Sequence, residues 1–165
     1  MRYPACVNAE IASYDESIRT RLEAVVACLD GLTEAQINWR PTVDEGNSLY
    51  ALAAHTLGNA QAWVLGIACG VDLRRDRPAE FAAMGADTFQ LRYELTRLSA
   101  QITGALMALT QEQFERRFVP SQELWGGGRP AQEITPRYAL LHVIEHASLH
   151  LGHAELTRDL ALQRA

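Results

Sequence analysis

The composition of this 165-residue chain excludes several kinds of protein. With 48% hydrophobic and 21% charged residues it is not a disordered chain, and its length predicts one domain over residues 1–165. Its 25 alanines, 21 leucines and 7% aromatic residues favour a helix bundle over a β-sandwich. The net charge of −5, with arginine as the only basic residue type, argues against nucleic acid as a partner.

The first half of the chain predicts two long helices. The first spans about Asn8 to Asp30 and is stopped by Gly31. The second begins at a cap formed by Asn47 or Ser48 and ends at Gly70. In the first helix the apolar residues recur on one face at helical spacing: Ile11, Tyr14, Ile18, Leu22, Val25 and Leu29.

The second half predicts two more helices. Asp87-x-x-Gln90 reads as a capping box that opens the third helix. Thr135 caps the fourth, which has Pro136 at its first position and runs to about Leu162. The apolar face of the third consists of Leu91, Leu95, Leu98, Ile102, Leu106 and Leu109. The chain is therefore predicted to be all-α.

Three connections join these helices. Residues 31–46 and 71–86 are predicted to be medium loops, and 116–134 a longer segment that forms either a short hairpin or a flap. Two similar stretches, Leu32–Ile37 and Leu109–Phe114, each follow a long helix and predict short capped turns. Their likeness is weak evidence for two related helical hairpins.

The cysteines and the uncharged segment bear on location. Cys6, Cys28 and Cys69 are odd in number and far apart, so they predict no disulfide framework. Residues 46–71 carry no charge and are long enough to span a bilayer, but their histidine, asparagine and glutamine favour a buried helix outside any membrane. With no signal-peptide pattern near Met1, we expect a protein of the reducing cytoplasm.

The same segment suggests self-association. On the side of the second helix that faces away from its histidine lie Tyr50, Leu57, Gln61 and Leu65. A helix without charge on any side is usually covered on every side. We therefore expect a homodimer that uses part of this helix, and coverage by the long loops is the alternative.

Four of the five histidines fall on the fourth helix: His142, His146, His150 and His153. At about 100° per residue they lie within about 80° of one another, on one face. The apolar arc of this helix, drawn from Leu149 and Leu156 round to Ile144 and Leu162, has His150 near its centre and His146 beside it. Buried imidazoles need partners, and two histidines at i and i+4 on a helix can bind one divalent metal.

His55 on the second helix is the remaining histidine and the expected third ligand. We favour His55, His146 and His150 as the metal ligands; His142 with His146, or a set that includes His153, are the alternatives. Three histidines leave coordination positions open, as catalytic sites do, and they suit zinc, nickel, iron or copper, of which we expect zinc or nickel. Asn59, one turn beyond His55, is expected to support a ligand or contact a substrate.

Two stretches resemble the DinB-like superfamily. They are Leu32-Thr33-x-x-Gln36-Ile37-Asn38-Trp39-Arg40-Pro41, with Asn47-Ser48 and His55 after it, and His142-Val143-Ile144-Glu145-His146-x-x-x-His150-x-Gly152-His153. The resemblance implies an up-down-down-up four-helix bundle with long connecting loops and a metal bound by His55, His146 and His150. It also implies a relation to thiol S-transferases that use low-molecular-weight thiols. Related sequences often carry an acidic residue about five positions after the second-helix histidine, where this chain has Ala60 and Gln61.

Three functions fit these features. The first is an enzyme whose metal binds a thiol for attack on a small electrophile, the second a metal-dependent hydrolase, and the third a non-catalytic module that binds metal or a small ligand in stress responses. The partner in each case is a small molecule. Arg40 is a candidate to bind a substrate carboxylate or, alternatively, to tie its loop to the bundle by a salt bridge. His142 and His153 are further candidates for substrate contact or ligand support.

Overall fold

The computed structural model describes residues 7–42, 46–126 and 129–163. Cys6, which the sequence analysis mentions, lies outside these residues. Within them the helices are α1 (Val7–Ala27), α2 (Glu34–Asn38), α3 (Leu49–Ala60), α4 (Arg77–Ala82), α5 (Phe89–Ala108), α6 (Gln111–Glu115), α7 (Gln122–Trp125) and α8 (Pro136–Leu162). The chain is all-α, as predicted.

The directions of the four long helices follow from contacts at known positions along them. Helices α1 and α8 are parallel, α5 is antiparallel to α1, and α3 is antiparallel to α8. The contacts that establish this are Glu10–Arg137 and Cys28–Arg158 for α1 and α8, Asp15–Thr103 and Asp30–Arg92 for α1 and α5, and His55–His150 and Trp63–His142 for the second helix and α8. The predicted up-down-down-up bundle is confirmed.

Most predicted helix ends are confirmed by their caps. The hydroxyl of Thr135 accepts a hydrogen bond from Tyr138 N at the start of α8, and Ser48 caps α3. Both short turns, α2 and α6, have a complete capping box. The capping box at the third helix was wrong: Thr88 is the cap residue, and the Asp87 carboxylate accepts instead from Phe89 N, two residues on.

The second predicted helix is not α-helical throughout. From Gln61 to Ala68 the chain continues from α3 as a π-helix, and it ends at Gly70, whose φ of 74° is in the left-handed region that glycine tolerates. In the long connection 116–134, the described residues form one antiparallel bridge, between Phe118 and Ile134, in place of a hairpin. Helix α7 lies between these two residues in the sequence.

The buried side of α8 differs from the predicted arc. Leu149 and Leu156, taken as one edge of the apolar arc, are 59% and 61% exposed. The buried centre is instead formed largely by small residues, Ala139, Ala147, Ala154 and Ala161. His150 is therefore half-buried at the border of the core, and its side chain is reachable from a cavity.

The apolar side of α3 is covered within the chain. Tyr50, Leu57 and Leu65 are buried. The reason for expecting a homodimer through this helix therefore does not hold, and self-association stays a prediction that sedimentation velocity can test. Among the described residues, no helix combines the length and the apolar character that crossing a bilayer requires.

The connection from the π-helix to α5 has to cross the bundle. Because α3 and α5 run in the same direction, the chain must return along the bundle before α5 can start. This return contains α4, capped by Asp76 with Pro78 in its first turn. Its C-terminal end is fastened to α2, where Asn38 pairs with the backbone of Gly85. The return path carries α4 past the middle of α3.

Replacing Thr135 by alanine should lower the free energy of unfolding by about 1 kcal/mol, because the hydroxyl satisfies the exposed amide at the start of the longest helix. Urea unfolding followed by circular dichroism measures this. Thr20→Ala, at an exposed interior position of α1, is the control and should change stability by less than half as much. Equal effects of the two substitutions would contradict the assigned cap.

Candidate metal centre

Three imidazoles from two helices meet beside the core. His55 of α3 and His146 and His150 of α8 each offer a ring nitrogen, and the three nitrogens lie within 4.8 Å of one another. His55 Nε2 is 3.2 Å from His146 Nε2. Two nitrogens bound to one ion at about 2.1 Å each lie about 3.4 Å apart at a tetrahedral angle, so the three nitrogens would have to approach one another by at most about 1.4 Å to complete a site. The structure thus brings together the three histidines that the sequence analysis favours as ligands.

The second nitrogen of His55 is held by a carboxylate from α4. Glu80 Oε2 lies 2.8 Å from His55 Nδ1, and His55 is only 2% exposed. Burial tends to raise the pKa of Glu80, but hydrogen bonds from His55 and Arg75 outweigh it and the pKa lies below its ordinary value. As a carboxylate, Glu80 can only accept, so Nδ1 of His55 donates. The Nε2 lone pair then points to the other two histidines.

Glu80 is itself fixed by an arginine and by a glycine. Arg75, whose side chain is 5% exposed, donates from Nε to Oε1 at 2.8 Å and from Nη2 to Oε2 at 2.9 Å. The carboxylate packs against α3 at Gly58, where a Cβ would lie 2.6 Å from Glu80 Cδ. Because Gly58 has no side chain, it leaves space for the Glu80 carboxylate. A histidine whose outer nitrogen is bound to a carboxylate is a common support for a metal ligand.

The chemistry of the three histidines fits a metal cation. Burial, together with the neighbouring imidazoles, lowers the pKa of His146 to about 3 and that of His150 to about 4. Both are therefore neutral near pH 7, the form that binds metals. The buried Nδ1 atoms of His146 and His150 have no hydrogen-bond partner among the described residues. These three side chains can hold one divalent ion.

His142 and His153 flank this group without joining it. His142 stacks on Trp63, with ring centroids 3.8 Å apart, and burial lowers its pKa. His153 is exposed, one turn beyond His150. The alternative ligand sets that used either residue gain no support from the geometry.

Two cavities open on the two sides of the three histidines. The first, of about 370 Å³, is here called the arginine cavity; it lies between Asn59, Trp63, Arg77, Trp125, Arg129 and His142. The second, of about 570 Å³, is called the apolar cavity; it lies between Leu52, Phe81, His150, His153, Leu156 and Leu160. Both cavities are lined by His55, Arg77 and His146. A group bound at the histidines is thus reachable from two directions.

The other candidate residues have separate positions. Asn59 is 4% exposed, lines the arginine cavity, and has an Oδ1 without a partner among the described residues.

Arg40 donates to the carbonyl oxygens of Gly46 and Phe81, so it ties its loop to α4. This replaces the expected salt bridge, since no carboxylate of the described chain pairs with Arg40. Phe81 in turn stacks on His55, with centroids 4.2 Å apart.

Sequence reasoning missed Glu80 and Arg75. Asp76 and Pro78 signal a short helix in the connection 71–86, and Arg75 and Glu80 are spaced to pair across its start. Nothing in the local sequence relates them to His55, which lies 25 residues before Glu80.

Comparison with known proteins agrees with this architecture. The sequence matches the DinB superfamily over residues 16–154. The chain belongs to the DinB superfamily. A crystal structure of a conserved protein from Enterococcus faecalis has the same fold as this DinB-superfamily chain, with a TM-score of 0.65 and 20% sequence identity over 92% of this chain and 96% of that one. No curated protein matches the sequence.

Gly58→Ala should weaken metal binding by about 10- to 100-fold, because the added methyl group displaces Glu80 and removes the support of His55. Isothermal titration with Zn²⁺ or Ni²⁺ measures the affinity. Glu80→Gln should weaken binding in the same range without crowding.

The matched control is Gly104→Ala on the exposed side of α5, where a Cβ meets no atom within 4 Å. It should leave metal affinity unchanged and raise stability by roughly 0.5–1 kcal/mol through helix propensity. Wild-type affinity in both Gly58→Ala and Glu80→Gln would contradict the supporting role of the carboxylate.

Proposed function

We propose that the protein is a metal-dependent enzyme that joins a small thiol to an electrophilic small molecule, with His55, His146 and His150 as the ligands of zinc or nickel. The observation that carries this is the pair of cavities that share His55, His146 and Arg77. A transfer between two small molecules needs two binding places at one centre, whereas hydrolysis needs one place and a water molecule.

The roles of the side chains follow from their charge and position. When bound, a divalent metal supplies the positive charge that lowers the pKa of a thiol and holds it for attack. Three neutral imidazoles leave that charge uncompensated and leave positions open for the thiol. Glu80 keeps His55 in the tautomer that presents Nε2, and Phe81, stacked on the ring, restricts its rotation.

The proposed reaction is a substitution at carbon. The thiol loses its proton to solvent, and the sulfur electron pair forms a new S–C bond to the electrophile. The bond from that carbon to the leaving group breaks, and the leaving group departs with its electron pair. The product is a thioether, and no oxidant or reductant is consumed.

Hydrolysis has less support because it needs a general base near the activated water. Among the described residues, no carboxylate lines either cavity. Both carboxylate oxygens of Glu80 already accept hydrogen bonds, from Nδ1 of His55 and from Nε and Nη2 of Arg75. A non-catalytic metal-binding module is the remaining alternative, and the assays below separate it from an enzyme.

The described cysteines are poor candidates for a nucleophile of the protein itself. Burial raises the pKa of Cys69 to about 12 and also raises the pKa of Cys28. Both are thiols rather than thiolates near neutral pH, and the thiolate is the reactive form. The sulfur in the proposed reaction therefore comes from an added small thiol.

Stoichiometric metal binding should be lost in His55→Ala, His146→Ala and His150→Ala, because each removes one of three ligands. His153→Ala, an exposed neighbour outside the group, should bind one metal per chain as the wild type does. Elemental analysis after dialysis measures this. A wild-type metal content in His55→Ala would contradict the site.

Removal of the metal by a chelator should lower the melting temperature without unfolding the protein, because the core of the bundle remains. A metal bound only to the native state, at a free concentration a hundred times its Kd, stabilises it by about 2.7 kcal/mol. Differential scanning calorimetry with and without chelator measures the change. An identical melting temperature under both conditions would show that no such binding occurs.

Turnover should require both the metal and an added thiol. Thioether formation from a chloro-aromatic electrophile, followed by mass spectrometry, is expected only with both present, and ester and amide substrates should not be cleaved. A variant with Cys6, Cys28 and Cys69 all replaced by alanine should retain most of the activity. Loss of turnover in this variant, if folded, would indicate a nucleophile in the protein, and bound metal without any turnover would favour the non-catalytic module.

A further inference from the structure

The arginine cavity contains a positive charge that the rest of the chain does not neutralise. Arg75 is paired with Glu80, but Arg77 and Arg129 have no carboxylate partner among the described residues, and no described acidic residue lines the cavity. This is notable in a chain whose net charge is −5. Two guanidinium groups at one concave surface favour an anionic occupant, and carboxylates match their planar geometry.

A second observation at the same cavity also indicates a ligand. Asn59 is 4% exposed and is one of the residues that line the cavity, and its buried Oδ1 has no donor among the described residues. An unpaired buried acceptor destabilises the structure, and a hydrogen bond from an occupant would offset this cost. The occupant is therefore expected to carry an N–H or O–H group.

The walls define the remaining part of the ligand. The rings of Trp63 and Trp125 lie 5.1 Å apart beside the arginines and present flat apolar surfaces. Arg77 rests on the Phe81 ring at 4.8 Å, which orients its guanidinium at the junction of the two cavities. A carbon skeleton between the anionic group and the histidines would contact these rings.

We propose that the arginine cavity binds a small carboxylate that also carries a hydrogen-bond donor: its carboxylate pairs with Arg77 and Arg129, its donor satisfies Asn59, and its skeleton packs on Trp63 and Trp125. This rests on the proposed function in one respect, that the ligand is one of the two substrates. The binding of the carboxylate itself does not depend on the metal.

N-acetylalanine is a suitable probe, since it has the carboxylate and the amide N–H but no thiol. Isothermal titration to the chelator-treated protein should give saturable binding, and N-acetylalanine amide, which lacks the negative charge, should bind at least tenfold more weakly. Arg77→Gln and Arg129→Gln should each weaken N-acetylalanine about tenfold. Arg117→Gln, at an exposed arginine that lines neither cavity, is the matched control and should not change the affinity.

Asn59→Leu tests the hydrogen bond separately. It should weaken N-acetylalanine without lowering the melting temperature of the ligand-free protein, because it removes an unpaired buried oxygen. A lower melting temperature with unchanged affinity would show that Asn59 serves only the fold. Equal binding of the acid and its amide, or of the wild type and both arginine variants, would overturn the proposal, as would failure of N-acetylalanine to bind.

The two proposals can fail independently. N-acetylcysteine and its amide, compared as thiol substrates of the metal-loaded protein, separate them. If N-acetylalanine binds with the expected dependence on Arg77 and Arg129 and neither thiol is turned over, carboxylate binding in the arginine cavity is supported and the thiol-transfer proposal is wrong. If the wild type, Arg77→Gln and Arg129→Gln all turn over both thiols equally, thiol transfer is supported and the proposal of a carboxylate site in the arginine cavity is wrong.

Discussion

A buried imidazole that must find partners on both of its nitrogens is the constraint on which the site depends. His55 lies on a helix most of whose residues are buried, where an unpaired polar atom is costly. Glu80 satisfies Nδ1, and this leaves Nε2 directed at His146, 3.2 Å away. Once these partners are set, the tautomer and the orientation of the His55 ring follow from them.

The topology of the bundle determines which residue reaches His55. Because α3 and α5 are parallel, their connection has to return along the bundle, and α4 lies on that return path. Gly58 allows the Glu80 carboxylate to approach the α3 backbone, and Arg75 neutralises it there. A loop that a different topology would leave in solvent thereby becomes part of the site.

The two sides of the three histidines differ in chemistry. One side is cationic and aromatic, with Arg77, Arg129 and the two tryptophans. The other adds apolar side chains from α3, α4 and α8, namely Leu52, Phe81, Leu156 and Leu160. The π-helix places Trp63 against His142 and Trp125, so that the first side has a firm wall.

The periodicity of the sequence determined the four long helices, most of their caps and the shared face of His146 and His150, because these depend on residues within a few positions of one another. It misjudged which residues of α8 are buried: Leu149 and Leu156 are exposed, and alanines pack against the bundle instead. The change from α- to π-helix at Gln61 also escaped it. Only the tertiary structure decided that Glu80 supports His55 and that Arg77 stands between two cavities, because those contacts join segments that the chain brings together after its helices have packed.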